Sequence, residues 1–184
     1  GQYARLVAER FSDRVKYFFT LNEPQCFVGL GFLQGCHAPG VKAPLRDTFE
    51  MAHNALKAHG RAVQMLRAYG KQNVQIGYAP TSGMCYPEKE TPKDIEAARK
   101  ALFALPDDLS NWTWNVSWWS DPVILGKYPE EGMKKYEKYL QVLVTWMLYA
   151  MILLPLLGKG RTDSLQNWQQ FRKEYEKSFT ERMT

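Results

Sequence analysis

Val15 to Leu21 reads VKYFFTL, a run with little alternation of polar and apolar residues, and it stops at Asn22-Glu23-Pro24. A strand with one wet face alternates, whereas a near-continuous apolar run belongs to a strand covered on both faces, as in a parallel sheet. Pro24 cannot donate to a ladder and biases the residue before it away from helix, so the strand has to end there. The reading therefore places a carboxylate, Glu23, at the tip of a buried parallel strand. That placement limits the fold more than any other stretch of the chain.

The rest of the pattern alternates in kind. Tyr3, Leu6, Val7 and Phe11 are spaced as one face of a helix over Gln2 to Phe11. A Gly/Cys/His/Pro-rich loop is expected over Gly29 to Pro44, then a long helix from about Leu45 to Tyr69, closed by Gly70. Val74 to Tyr78 reads as a second short strand, broken by Pro80. Thr91-Pro92-Lys93-Asp94 has the form of a helix cap with proline at the first helical position, and that helix should end near Pro106. Asn111 to Trp119 carries four tryptophans; Asp121-Pro122 is expected to end that segment, and Tyr128-Pro129 to start another helical piece. Strands separated by helices predict an α/β fold of parallel β/α units.

Composition excludes several classes. With 45% apolar and 14% aromatic residues, 184 residues can bury a substantial core. The net charge of +5 comes from 24 basic and 19 acidic residues in mixed order, without a basic stripe, so nucleic acid is not an expected partner. Cys26, Cys36 and Cys85 are odd in number and form no C-x-x-C pattern, which fits reduced thiols in a cytoplasmic setting. No histidine set at metal-ligand spacing accompanies them, and neither a metal nor a cofactor is expected. Gly1 is followed at once by helical pattern, which reads as an interior start. No basic-then-apolar leader is present, so secretion is disfavoured.

In parallel β/α barrels the strands' carboxyl ends and the loops after them collect the reactive side chains. Glu23 is expected to project into such a cleft, where partial burial raises a carboxyl pKa and keeps a general acid protonated near neutral pH. Asn22 beside it offers both a donor and an acceptor, suited to a sugar hydroxyl. The same tripeptide also reads as a plain turn, with Asn tolerating an unusual backbone and Pro fixing it. His37, in the following loop, is a candidate substrate contact or a support for local backbone. His53 and His59 fall on the long helix at i, i+6, which suits packing rather than metal binding. Among Trp112, Trp114, Trp118 and Trp119, Trp118 is the candidate sugar-stacking platform, with core packing as the alternative. Asp121-Pro122 reads as a turn and cap rather than a catalyst.

The stretch YFFTLNEPQCFVGLGFLQGCHAPG resembles the acid/base segment of the glycoside hydrolase family 1 β-glucosidases: a strand ending in Thr-(Phe/Leu)-Asn-Glu-Pro, then a glycine-bearing loop ending in Ala-Pro-Gly, here Ala38-Pro39-Gly40. MAHNALKAHGRAVQMLR, IGYAPTSGMCYPEKETPKDIEAAR and WTWNVSWWSDPVILGKYPEEGMKKY resemble the same family's fourth helix, fifth strand and following aromatic loop. The resemblance covers about residues 2–140. It implies part of a (β/α)8 TIM barrel, about strands 4 to 5 with their flanking helices, that hydrolyses β-linked glucosides or galactosides with retention. In that scheme Glu23 protonates the leaving-group oxygen and later deprotonates water, while Asn22 holds the sugar's 2-hydroxyl. A second carboxylate is required as nucleophile about 5–5.5 Å away. The family takes it from a Thr-Glu-Asn-Gly segment on a later strand, and this chain contains no such segment. Glu88, Glu90, Glu130, Glu131 and Glu137 lie in hydrophilic stretches and are not substitutes. The sugar-binding Gln and His of the family's first and third strands are absent as well. The phosphoglucosidase branch tends to carry a residue other than proline after the acid/base Glu, so Pro24 leans against a 6-phospho-β-glucosidase.

From Gln141 the family pattern is lost, which divides the chain into 1–140 and a divergent 141–184. Val142 to Leu157 is an apolar run of 16 residues containing Pro155. That falls short of the roughly 20 residues a membrane span needs, and a span is not expected. Leu165, Trp168, Phe171, Tyr175 and Phe179 make an amphipathic helix of Ser164 to Met183, capped by Asp163 or Ser164. A second class of function stays open on this reading: a non-catalytic remnant whose tail serves partner or membrane association.

Overall fold

Small residues decide how the first helix docks. Helix α1 (Gln2–Phe11) buries Ala4 and Ala8 in the computed structural model of the chain, which describes residues 1–140. The expected stripe of Tyr3, Leu6 and Phe11 is exposed instead, Tyr3 by 80%, because the alanines let α1 lie close against the long helix α2 (Leu45–Tyr69). The buried Ser12 hydroxyl donates to Ala8 O (2.6 Å) and accepts from the Lys71 amide (2.8 Å), joining the end of α1 to the turn after α2. The apolar run and the amphipathic helix expected after Gln141 lie outside the described residues.

Strands β1 (Tyr17–Asn22) and β2 (Gln75–Ala79) pair in parallel, Tyr17 opposite Gln75 and Asn22 opposite Ala79, with a register irregularity between Phe19 and Asn22. Helix α2 makes the crossover between them, as parallel pairing requires. The α/β class holds, while the described residues form a two-stranded sheet rather than a closed barrel. The expectation of a strand covered on both faces is corrected: Tyr17 and Phe19 are 70% and 71% exposed, and Phe18 and Thr20 are half-buried. Two strands and one crossover helix supply cover on one side only. Across the pair, the Phe19 ring lies over Gly77, where a Cβ would come within 2.6 Å of the ring edge.

Helix α2 runs over the predicted span, and Gly70 does end it, for a different reason than expected. Its backbone is extended (φ −66°, ψ 134°) rather than left-handed. Glycine is needed because a Cβ would sit 2.7 Å from Leu66 O. The predicted loop from Gly29 is also corrected, since Cys26–Leu33 forms a π-helix, a wide and uncommon winding frequent at functional sites.

Helix α3 (Pro92–Phe103) starts as predicted, Thr91 Oγ1 accepting from the Asp94 amide at 3.2 Å. After a single 3-10 turn at Trp112–Trp114, helix α4 (Val116–Ile124) is capped by Asn115, whose Oδ1 accepts from the Trp118 amide (2.8 Å) and whose Nδ2 donates to Ala104 O (2.6 Å). Pro122 lies inside α4, against the expectation that Asp121-Pro122 ends the segment; the helix closes two residues later. Helix α5 (Glu130–Lys135) follows Pro129, with Glu130 and Glu131 in its first turn and Lys134 and Lys135 in its last, the order its dipole favours.

The core is aromatic. Phe49 of α2 stacks on Trp112 at 4.1 Å and meets Tyr136 at 5.1 Å and Trp118 at 5.4 Å. Such pairs contribute about 0.5–1.5 kcal/mol each beyond the area they bury. Trp119 is fully buried and donates through Nε1 to Thr113 O at 2.7 Å. Among the described residues no helix is long and apolar enough to cross a membrane.

Candidate active site at the strand ends

Asn22 is the last residue of β1, and Glu23 carries the chain out of the strand at φ 42°, in the left-handed region that a glutamate rarely adopts. Such a conformation costs on the order of 1–3 kcal/mol and persists only where its surroundings over-determine it. The surroundings here do so. The Glu23 amide donates to Ala79 O at 2.7 Å, extending the ladder one bond past β1, and the Cys26 amide donates to Glu23 O at 2.9 Å. Pro24 is fully buried behind the turn. Gln25 is fully buried too, and its carboxamide donates to Thr81 O and accepts from the Thr81 amide at 3.2 Å. Gln25 thus clamps the segment after β1 to the segment after β2.

The backbone is gripped, whereas the Glu23 and Asn22 side chains are both exposed. Partial burial of Glu23 in a cleft is therefore corrected for the described residues, since a two-stranded sheet provides no walls around its strand ends. One side chain does reach Glu23: the Cys26 thiol donates to Oε2 at 3.3 Å. Burial pushes the Cys26 thiol up, and the bond to Glu23 and the carboxylate's charge push it further the same way.

Beneath the strand ends, Thr20 Oγ1 and His59 Nδ1 are hydrogen-bonded at 2.6 Å, and the His59 ring lies 4.9 Å from that of Tyr78. Burial lowers the His59 pKa, with Arg67 adding to the effect, and burial raises that of Tyr78. His53 pairs with the Tyr128 hydroxyl at 3.1 Å, and burial, then Lys57, lowers its pKa. Both histidines of α2 therefore hold the helix to its neighbours. His37 lies exposed in the loop after the π-helix, where its amide donates to Leu30 O (3.0 Å) and its carbonyl accepts from Gly40 N (2.7 Å). Trp118 is 1% exposed, tilted against Tyr128 at 4.6 Å and edge-on to Phe49. An indole so covered has no face for a sugar, and the stacking expectation gives way to core packing. Asp121 is half-buried, and burial pushes it up to about 6 against the opposing charge of Lys127.

The site therefore joins Asn22 and Glu23 with two residues the sequence reading passed over, Gln25 and Cys26. A polar residue directly after the proline was the only available signal. Among the described residues no three His, Cys, Asp or Glu side chains gather to hold a metal ion.

Known proteins resemble this chain over most of its length. The profile of glycosyl hydrolase family 1 matches residues 1–156, past Leu140 where the motif reading ends. β-Glucosidase A of Acetivibrio thermocellus is 38% identical over 137 residues, covering 74% of this chain and 28% of that protein. A 1,4-β-D-glucan glucohydrolase of Thermotoga neapolitana is 34% identical over 140 residues, covering 76% and 30%. The solved family 1 β-glucosidase from Thermotoga maritima superposes with a TM-score of 0.56 at 34% identity, over 74% of this chain and 28% of that one. A complex of the Thermotoga maritima enzyme with deoxynojirimycin gives 0.57. The chain thus spans between a quarter and a third of the length of these relatives.

Proposed function

Because the chain belongs to glycosyl hydrolase family 1, we propose that it is the acid/base portion of a retaining β-glycosidase acting on β-linked glucosides, with β-galactosides as a second substrate class. One observation carries the reading: a glutamate in a strained conformation at the carboxyl end of a parallel strand, its backbone clamped and its side chain exposed. A turn alone does not call for a carboxylate at φ 42°, where glycine or asparagine sits without strain.

In this mechanism the protonated Glu23 gives its proton to the glycosidic oxygen as that oxygen takes the electron pair of the breaking C1–O bond. The nucleophilic carboxylate takes C1 from the opposite face. Glu23, now ionised, then removes a proton from the water that releases the sugar. Asn22, adjacent at the strand tip, holds the 2-hydroxyl, a contact that strengthens toward the transition state. The nucleophile comes from a later strand of a complete barrel, so this 184-residue chain alone turns over no β-glucoside. The three free thiols, Cys26, Cys36 and Cys85, support a reducing, cytoplasmic setting.

A chimera tests the role. The segment of Acetivibrio thermocellus β-glucosidase A that matches this chain over 137 residues is replaced by the corresponding residues of this chain, with and without Glu23→Gln. Glucosides with poor leaving groups should lose most of their kcat/KM, and activated aryl glucosides should be partly spared in glycosylation. Equal loss on both substrates would remove Glu23 from the acid role.

A further inference from the structure

Resting on the acid/base reading of Glu23, the geometry points to Cys26 as a positioning residue: its thiol holds Glu23 Oε2 and leaves Oε1 as the atom that carries the transferred proton. Glu23 is exposed, and a long exposed side chain samples several rotamers unless something fixes it. The Cys26 Sγ sits 3.3 Å from Oε2, and the Cys26 amide also holds the Glu23 carbonyl at 2.9 Å. One residue therefore grips the glutamate through both its backbone and its carboxylate. Cys26 is itself fixed as the first residue of the π-helix, so the donor is rigid.

A thiol suits this task better than a stronger donor. It donates weakly, so it orients the carboxyl group without strongly favouring the ionised form that an acid catalyst must avoid. It also serves both stages. With Glu23 protonated, Oε2 is the carbonyl oxygen that accepts from S–H, and the acidic proton resides on Oε1. With Glu23 ionised, Oε2 still accepts from the thiol, and Oε1 is free to take the proton from water.

Two measurements test it, one of them independent of catalysis. In the full chain carrying Cys36→Ser and Cys85→Ser, Cys26 is the sole thiol. Its ultraviolet thiolate absorbance and its alkylation by iodoacetamide are followed against pH. Among the described residues Glu23 is the one charged group whose field acts on this thiol, burial supplying the rest. Removing the carboxylate and its charge with Glu23→Gln should raise the thiolate fraction and the alkylation rate at neutral pH severalfold, because burial alone then holds the thiol up. An unchanged profile would refute the contact, and a smaller rise in Glu23→Asp, which keeps the charge but shortens the reach, supports the direct bond. In the chimera, Cys26→Ala should lower kcat on poor leaving groups severalfold at unchanged KM, and Cys26→Ser, a donor of greater strength, should recover part of it. Equal rates for all three would overturn the positioning role. A chimera inactive with Cys26 and Glu23 both intact would instead count against the glycosidase reading, and the thiol titration would still decide whether Cys26 holds Glu23.

Discussion

Gln25→Ala removes the clamp that ties the segment after β1 to the segment after β2. Two hydrogen bonds to the Thr81 backbone disappear, at about 1 kcal/mol each. The Thr81 amide and carbonyl are left without their partner in a half-buried place, which adds about 1 kcal/mol, toward the low end for such groups because water reaches them in part. Against this loss of about 3 kcal/mol stands the strain at Glu23. Freed from the clamp, its φ of 42° can relax, returning about 1 kcal/mol. The expected net destabilisation is about 2 kcal/mol. With a urea slope of about 2 kcal/mol per molar, the unfolding midpoint falls by about 1 M. Urea unfolding of the full chain followed by far-ultraviolet circular dichroism measures it. Gln25→Met separates the causes, because it refills the space without restoring the bonds and should recover only a minor part. A midpoint for Gln25→Ala indistinguishable from that of the parent, or full recovery in Gln25→Met, would refute the clamp.

Two further substitutions probe other contacts. Gly29→Ala drives a Cβ to 2.5 Å from Thr113 Oγ1, inside a packed interface, and should cost about 1–3 kcal/mol; Thr113→Ala in the same chain should return most of it, as read by thermal unfolding. Asp121 is pushed from 3.8 to about 6 by burial, so the folded chain holds a proton that the unfolded chain releases between those values. That contribution to stability is fully present below about pH 4 and is lost as pH rises through about 6. Asp121→Asn should remove this decline, making the variant more stable than the parent at neutral pH relative to acid pH; parallel pH-stability curves for the two would contradict it.

Much of this was written in local pattern. Helix α2 was legible to the residue because 25 residues of amphipathic spacing leave little alternative, and α3 because Thr91-Pro92 is a chemically specific start. The position of Glu23 followed from one proline. What escaped were the features that depend on partners distant in sequence. The π-helix at Cys26–Leu33 is apolar throughout and has no period that separates it from a loop, and the closeness of Gly29 to Thr113 is a tertiary fact. Gln25 looked like any loop residue until Thr81 stood opposite it. The docking face of α1 was misread because the large residues Tyr3, Leu6 and Phe11 point outward while Ala4 and Ala8 make the contact. Hydrophobic spacing identifies a helix more reliably than it identifies the face that meets a neighbour.

The tryptophan cluster has an optical consequence. Trp112 and Trp119 stack at 6.2 Å with their planes 13° apart, and Trp118 stands edge-on to Trp112 at 6.0 Å. Indoles this near and this rigid share their electronic excitation, so the chain should show a coupled dichroic signal that three separate tryptophans would lack. The signal belongs to packing around Phe49 and vanishes as soon as those rings lose their mutual orientation, even while the helices that carry them remain wound. The chain thus carries its own reporter for the moment when side-chain order, rather than backbone structure, gives way.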